Sequence, residues 1–426
     1  HTRVRCDWSS DVCSSDLLCL YLPIAVFKII QKNHKNGDWF HKLKNQFGFV
    51  NKIPNRTIWI HCVSVGEFHA AIPLINQLID TFPSHKLLIT TTTNTGSKAV
   101  QKHYKESVFH CFFPLDLPFA IKRFIANVGP DICILLETEI WPNLVDVLYK
   151  QTIPTLLINA RLSGRSFNKY RKYSPKLTRN TINKLTLIAA QNQNSAERFY
   201  KLGAKNNKVT VAGNIKFDQN LTTVKAVSQE MQLMIGDRKV IVFASTHIGE
   251  ESQIISSYLK HQDSLDALLI IIPRHPGRFD EVYKLIKKNN IRVVKRSSND
   301  SCEDAQFLLG DSMGEMMSYF DVCDVAFIGG SFSTTGGHNM LEAAALAKPI
   351  LFGPNVFNFA EISSDLIAQN ASIQVQNTDE LFEEIITLLA DEKRRQLLGN
   401  NAKQYFLSKR GAVDKTIKII SQHIKT

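Results

Sequence analysis

The chain has 426 residues, too many for one ordinary hydrophobic core, and is read as two domains. Hydrophobic residues at 44% and charged residues at 21% exclude a disordered or fibrous chain. The net charge of +12 is spread along the sequence without a Lys/Arg block long enough for a nucleic-acid arm, which directs attention to phosphates or an anionic membrane face. The eight cysteines form no CxxC pair. Cys62, Cys111, Cys133 and Cys323 fall in or beside apolar runs, as buried free thiols of a reducing compartment do.

Residues 6–17, CDWSSDVCSSDL, back-translate into a string resembling a common sequencing-library adapter, so residues 1–17 are set aside as an artefact. The apolar stretch 18–30 is broken by Pro23 and is shorter than the ~20 residues needed to cross a bilayer. With the lysines that follow, residues 18–36 are read as the remnant of a membrane anchor with a cytoplasmic flank; a short core helix is the bland alternative. From Thr57 strands and helices alternate. Strands are expected at 57–63, 86–92, 108–113, 131–136, 155–159, 185–190 and 208–212, with helices between them and a basic helical stretch up to Lys184. This first domain is placed at 37–215, followed by a polar linker at 216–239. The rhythm restarts in a second domain at 240–426, with a helix expected at 313–320 and a last helix free to pack back on the first domain. Short loops between alternating elements imply two α/β, doubly wound, Rossmann-like domains, which bind ligands at strand carboxyl ends around a cleft.

The unusual residues fall in those carboxyl-end loops. Glu67 follows the first strand at a helix start, where it either complements the helix dipole or serves as a base toward a hydroxyl. Glu137 and Glu139 follow a buried strand, and alternation would put both on one side. Lys216 ends another strand, and Arg274 in Pro273-Arg274-His275-Pro276 suits bidentate phosphate recognition. Residues 245–251 offer an anion-binding nest. Around Gly329, Gly330, Gly336 and Gly337 the expectation is a backbone that cradles phosphate, with Glu342 holding a ribose diol; alternatively Asn339 and Glu342 form a capping box. No HExxH, no Cys/His cluster with metal spacing and no GxGxxG occurs, so no cofactor is expected and nicotinamide chemistry is disfavoured.

Taken in order, VSVGE (63–67), ETEIWPN (137–143), NARLS (159–163), AAQN (189–192), GNIKFD (213–218), ASTHIGEE (244–251), PRHPGRF (273–279), GDSMGEM (310–316) and GGHNMLEAA (336–344) closely resemble the 3-deoxy-D-manno-octulosonic acid (Kdo) transferases of lipopolysaccharide assembly. The resemblance implies a GT-B fold and metal-independent transfer of Kdo from CMP-Kdo to a lipid A precursor at the cytoplasmic face of the inner membrane. It implies Glu67 as general base. It also implies that Pro273 and Arg274, Met313, Gly314 and Glu315, and Asn339, Met340, Leu341 and Glu342 hold CMP. Glu139, Lys216 and Gly330 are added as further site members. The competing readings are a GT-B nucleotide-sugar 2-epimerase and a non-catalytic, membrane-associated sugar-nucleotide binding protein.

Overall fold

The computed structural model describes residues 39–53, 56–219 and 225–424, so the expected artefact and anchor segments lie outside the described residues. Among the described residues no helix is long and apolar enough to cross a membrane. The chain divides into two compact units. One contains the described residues up to Gln219 together with those from Arg410 onward, and the other contains the described residues between.

The first unit is a seven-stranded parallel sheet of β1 (Thr57–His61), β2 (Lys86–Thr91), β3 (Phe109–Phe112), β4 (Pro130–Leu136), β5 (Thr155–Ala160), β6 (Leu187–Ala190) and β7 (Val209–Val211). Their order is β3-β2-β1-β4-β5-β6-β7, so the winding reverses between β1 and β4. Parallel strands covered on both faces must be apolar on both, which explains runs such as DICILL. Ile58, Ile60, Ile132 and Ile134 pack on one face, while Trp59, Cys133 and Leu135 pack on the other.

The second unit repeats the plan with β8 (Val240–Thr246), β9 (Leu268–Pro273), β10 (Val293–Lys295), β11 (Phe307–Leu309), β12 (Val325–Ile328), β13 (Ile350–Phe352) and β14 (Ser372–Gln374). All pairings are parallel, in the order β10-β11-β9-β8-β12-β13-β14, and the reversal falls between β8 and β12. In both units the loops richest in polar signatures leave the strands at the reversal. Diverging connections open a crevice there.

Several expected boundaries move. The helix expected at 313–320 starts at Met316, because Gly314 takes a φ of +87° and Glu315 becomes the residue before the helix. The basic stretch is two helices, Gly164–Tyr173 and Pro175–Lys184, since Pro175 cannot continue the first but suits the opening turn of the second. The expected linker holds a 3-10 turn, Ile215–Asp218, and a helix, Lys225–Ile235, that buries Met231, Met234 and Ile235. The helix Ala412–Ser421 belongs to the first unit. Its Val413, Ile417 and Ile420 pack with Leu74, Ile75 and Leu78. Asp218 accepts from the N–H groups of Gly411 at 2.6 Å and Val413 at 2.7 Å, tying the helix start to the 3-10 turn.

Candidate functional site

In the first unit the site is built at the β1/β4 reversal. Ser64 caps the helix Val65–Thr81, accepting from the N–H of Glu67 at 3.4 Å. Glu67 Oε2 in turn accepts from the N–H of Val63 at 2.7 Å. This is a local capping arrangement, and among the described residues none donates a hydrogen bond to Oε1. Burial, and after it the negative charge of Glu137, pushes the Glu67 carboxyl up from 4.5 to about 8; the Val63 N–H and Lys216 oppose the rise. Such a carboxylate is a far stronger base than an exposed glutamate.

Glu137 and Glu139 do not alternate as a strand would. Glu137 has a φ of +59°, which ends β4 and turns its carboxylate to Lys216, whose Nζ donates to Oε1 at 2.8 Å. Glu139 Oε2 accepts from Trp141 Nε1 at 2.7 Å, and burial holds its carboxyl above the usual range. Both nevertheless lie near enough to act on Glu67 through charge. Asn159 also has a positive φ, +53°, and its buried Oδ1 accepts from the N–H of Ile215 at 3.2 Å, fixing the turn that carries Lys216. Its Nδ2 is buried without a partner among the described residues. Backbone strain at neighbouring strand ends concentrates at functional positions. The positive φ values of Glu137 and Asn159, unlike the charges, had no signal in the sequence.

In the second unit a cavity of about 260 Å³ opens at the β8/β12 reversal. It gathers Pro273, Arg274, Met313, Gly314, Glu315, Asn339 and Glu342 from three separate loops. Met340 and Leu341 are fully buried and do not line it. Ser245, from the expected anion nest, also lines the cavity, as do Ser312, Tyr319 and His338, which were not assigned a role from sequence. Arg274 is solvent-exposed, and among the described residues its guanidinium makes no ion pair. Glu315 is held by Arg296 at 3.2 Å and accepts from Ser312 Oγ at 2.5 Å, which rigidifies that wall. The alternative of a capping box does not form: Met340, not Asn339, occupies the cap position, and the helix Leu341–Ala345 has only five residues. Asn339 Oδ1 accepts from the N–H of Leu341 at 3.2 Å, and its Nδ2 donates to Glu342 Oε1 at 3.1 Å. Burial holds the Glu342 carboxyl above its ordinary range, while Asn339 and Arg274 oppose this.

The glycine loop corrects two expectations. Its N–H groups do not face a phosphate, because the fold already uses them. Gly329 donates to Ala244 O at 2.8 Å, and Gly336 and Gly337 donate to Gly330 O at 3.1 and 2.8 Å. Gly330 itself donates to Glu250 Oε2 at 2.7 Å. The expected anion nest after β8 is likewise filled by the protein's own carboxylate, for Glu250 also accepts from His247 N–H at 2.8 Å and Phe332 N–H at 3.0 Å. The glycines are required by space instead: a Cβ on Gly329 would lie 2.7 Å from Ser245 O, and one on Gly330 would lie 2.9 Å from His338. Gly330 is thus a neighbour of the cavity and gives it no donor.

Comparison with known proteins fits this geometry. A family model described as 3-deoxy-D-manno-octulosonic-acid transferase (kdotransferase) matches residues 41–219, and one described as glycosyl transferases group 1 matches residues 280–405. A 3-deoxy-D-manno-octulosonic acid transferase of Haemophilus influenzae is 37% identical over 421 residues, covering 96% of this chain and 98% of that protein. The Bordetella pertussis transferase is 33% identical over 378 residues, covering 84% and 86%. The crystal structure of a UDP-GlcNAc 2-epimerase from Neisseria meningitidis has a TM-score of 0.61 at 17% identity, over 87% of this chain and 99% of that one. That likeness is one of fold, the GT-B arrangement of Rossmann-like domains, and at such low identity it does not favour epimerase chemistry. The chain belongs to the 3-deoxy-D-manno-octulosonic acid (Kdo) transferase family of glycosyltransferases.

Proposed function

We propose that this protein transfers Kdo from CMP-Kdo to a hydroxyl of a lipid A precursor at the cytoplasmic face of the inner membrane, with no metal ion taking part. The observation that carries the reading is the convergence of Pro273-Arg274, Met313-Gly314-Glu315, Asn339 and Glu342 on one cavity of the second unit. Arg274 would meet the nucleotide phosphate, and Glu342 a ribose hydroxyl, to which its neutral or charged form can hydrogen-bond. In the first unit Glu67 Oε1 would take the proton of the acceptor hydroxyl as its oxygen bonds to the Kdo anomeric carbon. The bond from that carbon to the phosphate oxygen breaks, and CMP leaves with the electron pair. Glu137, paired with Lys216, keeps a charge beside Glu67 that maintains its basicity.

Attachment to the membrane is supported by the helices Gly164–Tyr173 and Pro175–Lys184. No Asp or Glu occurs from Arg161 to Lys184, and Arg165, Lys169, Lys172 and Lys176 are exposed. The test is incubation of the protein with CMP-Kdo and a lipid A precursor in the presence of EDTA. Release of CMP together with a Kdo-bearing glycolipid is expected. Activity abolished by the chelator and restored by Mg²⁺ would overturn the metal-free reading, and CMP binding without turnover would favour a binding protein.

A further inference from the structure

The occupied N–H groups of the glycine loop leave Arg274 as the one cation among the residues lining the cavity, yet a nucleotide monophosphate departs with up to two negative charges. Beside Arg274 lies an arrangement able to provide another. His247 Nε2 and His338 Nε2 are 2.7 Å apart, with rings parallel to within 6° and centroids separated by 4.9 Å. At that separation one nitrogen must carry a proton and the other a lone pair. His338 lines the cavity. The backbone of His247 is fixed, because its main-chain N–H donates to the buried Glu250, and Gly330 permits the close approach of both rings.

We infer that His247 and His338 form a hydrogen-bonded pair that takes up one proton when the nucleotide phosphate enters the cavity, adding a positive charge beside Arg274. The inference rests on the reading of this cavity as a CMP site. The proton comes from solvent and enters at Nδ1 of the ring that donates through Nε2. The Nε2–H···Nε2 bond is thereby kept, between an imidazolium and a neutral imidazole. The charged and titratable groups facing the pair are Arg274 and His275, which oppose the gain of charge, and Glu250 and Glu251, which favour it at His247. Glu342 shares the cavity with His338.

Without a ligand, burial foremost and then the neighbouring His247, Arg274 and His275 push His338 down to about 4, and burial lowers His247 as well. The pair is therefore neutral at physiological pH when the cavity holds no anion. A phosphate entering the cavity opposes these effects, because its negative charge in a partly screened site favours the protonated imidazole and so raises the pair. Both histidines are positioning residues for the leaving phosphate on this reading. Their response differs from that of an arginine because the charge appears only with the anion.

The experiment is calorimetric titration of the whole protein with CMP at pH 7, repeated in buffers of different ionisation enthalpy, for the natural sequence and for His247→Gln and His338→Gln. The natural protein should take up about half a proton more per CMP than either variant, since proton exchange by CMP itself is common to all three. NMR titration of the histidine rings in the natural protein supplies the same measurement without a variant, with the titration of one ring moving upward when CMP saturates the site. Equal proton counts in all three proteins, or rings whose titration ignores CMP, would overturn the inference while leaving the CMP site in place. Failure of the natural protein to bind CMP would overturn both.

Discussion

Replacing Glu67 by Gln separates the chemistry of the carboxylate from its structural work. Gln retains an oxygen for the Val63 N–H, so the cap at the start of Val65–Thr81 is kept. What disappears is a group whose folded-state value, about 8, lies above the ordinary 4.5 because it is buried near Glu137. The folded unit therefore holds this proton more tightly than the unfolded chain does. The corresponding stabilisation is complete below about 4.5 and is lost as pH rises through about 8. Between pH 6 and pH 8 one bound proton separates the two states over most of the interval, which amounts to about 2 kcal/mol of stability lost by the natural protein and not by the variant. All four tryptophans precede residue 142. Trp39, Trp59 and Trp141 lie in the first unit, so urea unfolding followed by tryptophan fluorescence reports on it. The same group sets the rate: turnover by the natural protein should climb with pH up to about 8, and Glu67→Gln should lose ~100-fold or more while binding CMP normally. Stability curves of equal pH slope would show that Glu67 titrates as an ordinary glutamate. A turnover number unchanged by the substitution would remove it from the reaction altogether.

Arg274→Ala should raise the CMP dissociation constant by ~10-fold or more, since a charge-assisted contact to phosphate contributes roughly 1.5–3 kcal/mol; calorimetry showing equal affinity would refute the assignment. Ile420→Ala removes a fully buried side chain from the contact of the last helix with Val65–Thr81 and should destabilise the first unit by roughly 2–5 kcal/mol, read from the tryptophan transition. A loss below about half a kcal/mol would mean that the helix is not held there in solution. Changing Lys169, Lys172 and Lys176 together to Gln should weaken sedimentation with anionic vesicles by ~100-fold at low salt, at about 1 kcal/mol per charge. Binding that ignores both salt and substitution would remove these helices from the membrane contact.

The sequence by itself determined the repeating plan and the identity of the loops that matter. Strands covered on both faces must be continuous apolar runs, and helices packed on them must show helical spacing, so DICILL and the apolar positions of residues 68–80 announce themselves. Rossmann-like winding then places Glu67, Glu137, Arg274 and the glycine stretch at strand carboxyl ends, where chain order alone locates them. Weak local signals failed where elements are short or packed from a distance, as with β14 and the helix Lys225–Ile235. Partner choice was beyond reach for the same reason. Lys216 meets Glu137 across 79 positions and His247 meets His338 across 91, and no spacing rule connects residues so far apart. The glycine loop shows the difference most plainly. Its composition offers backbone donors to any anion, and only tertiary packing decides that the buried carboxylate of Glu250, a residue 80 positions from Gly330, arrives first. A buried acceptor must be satisfied, so it takes the N–H groups and leaves the phosphate to side chains.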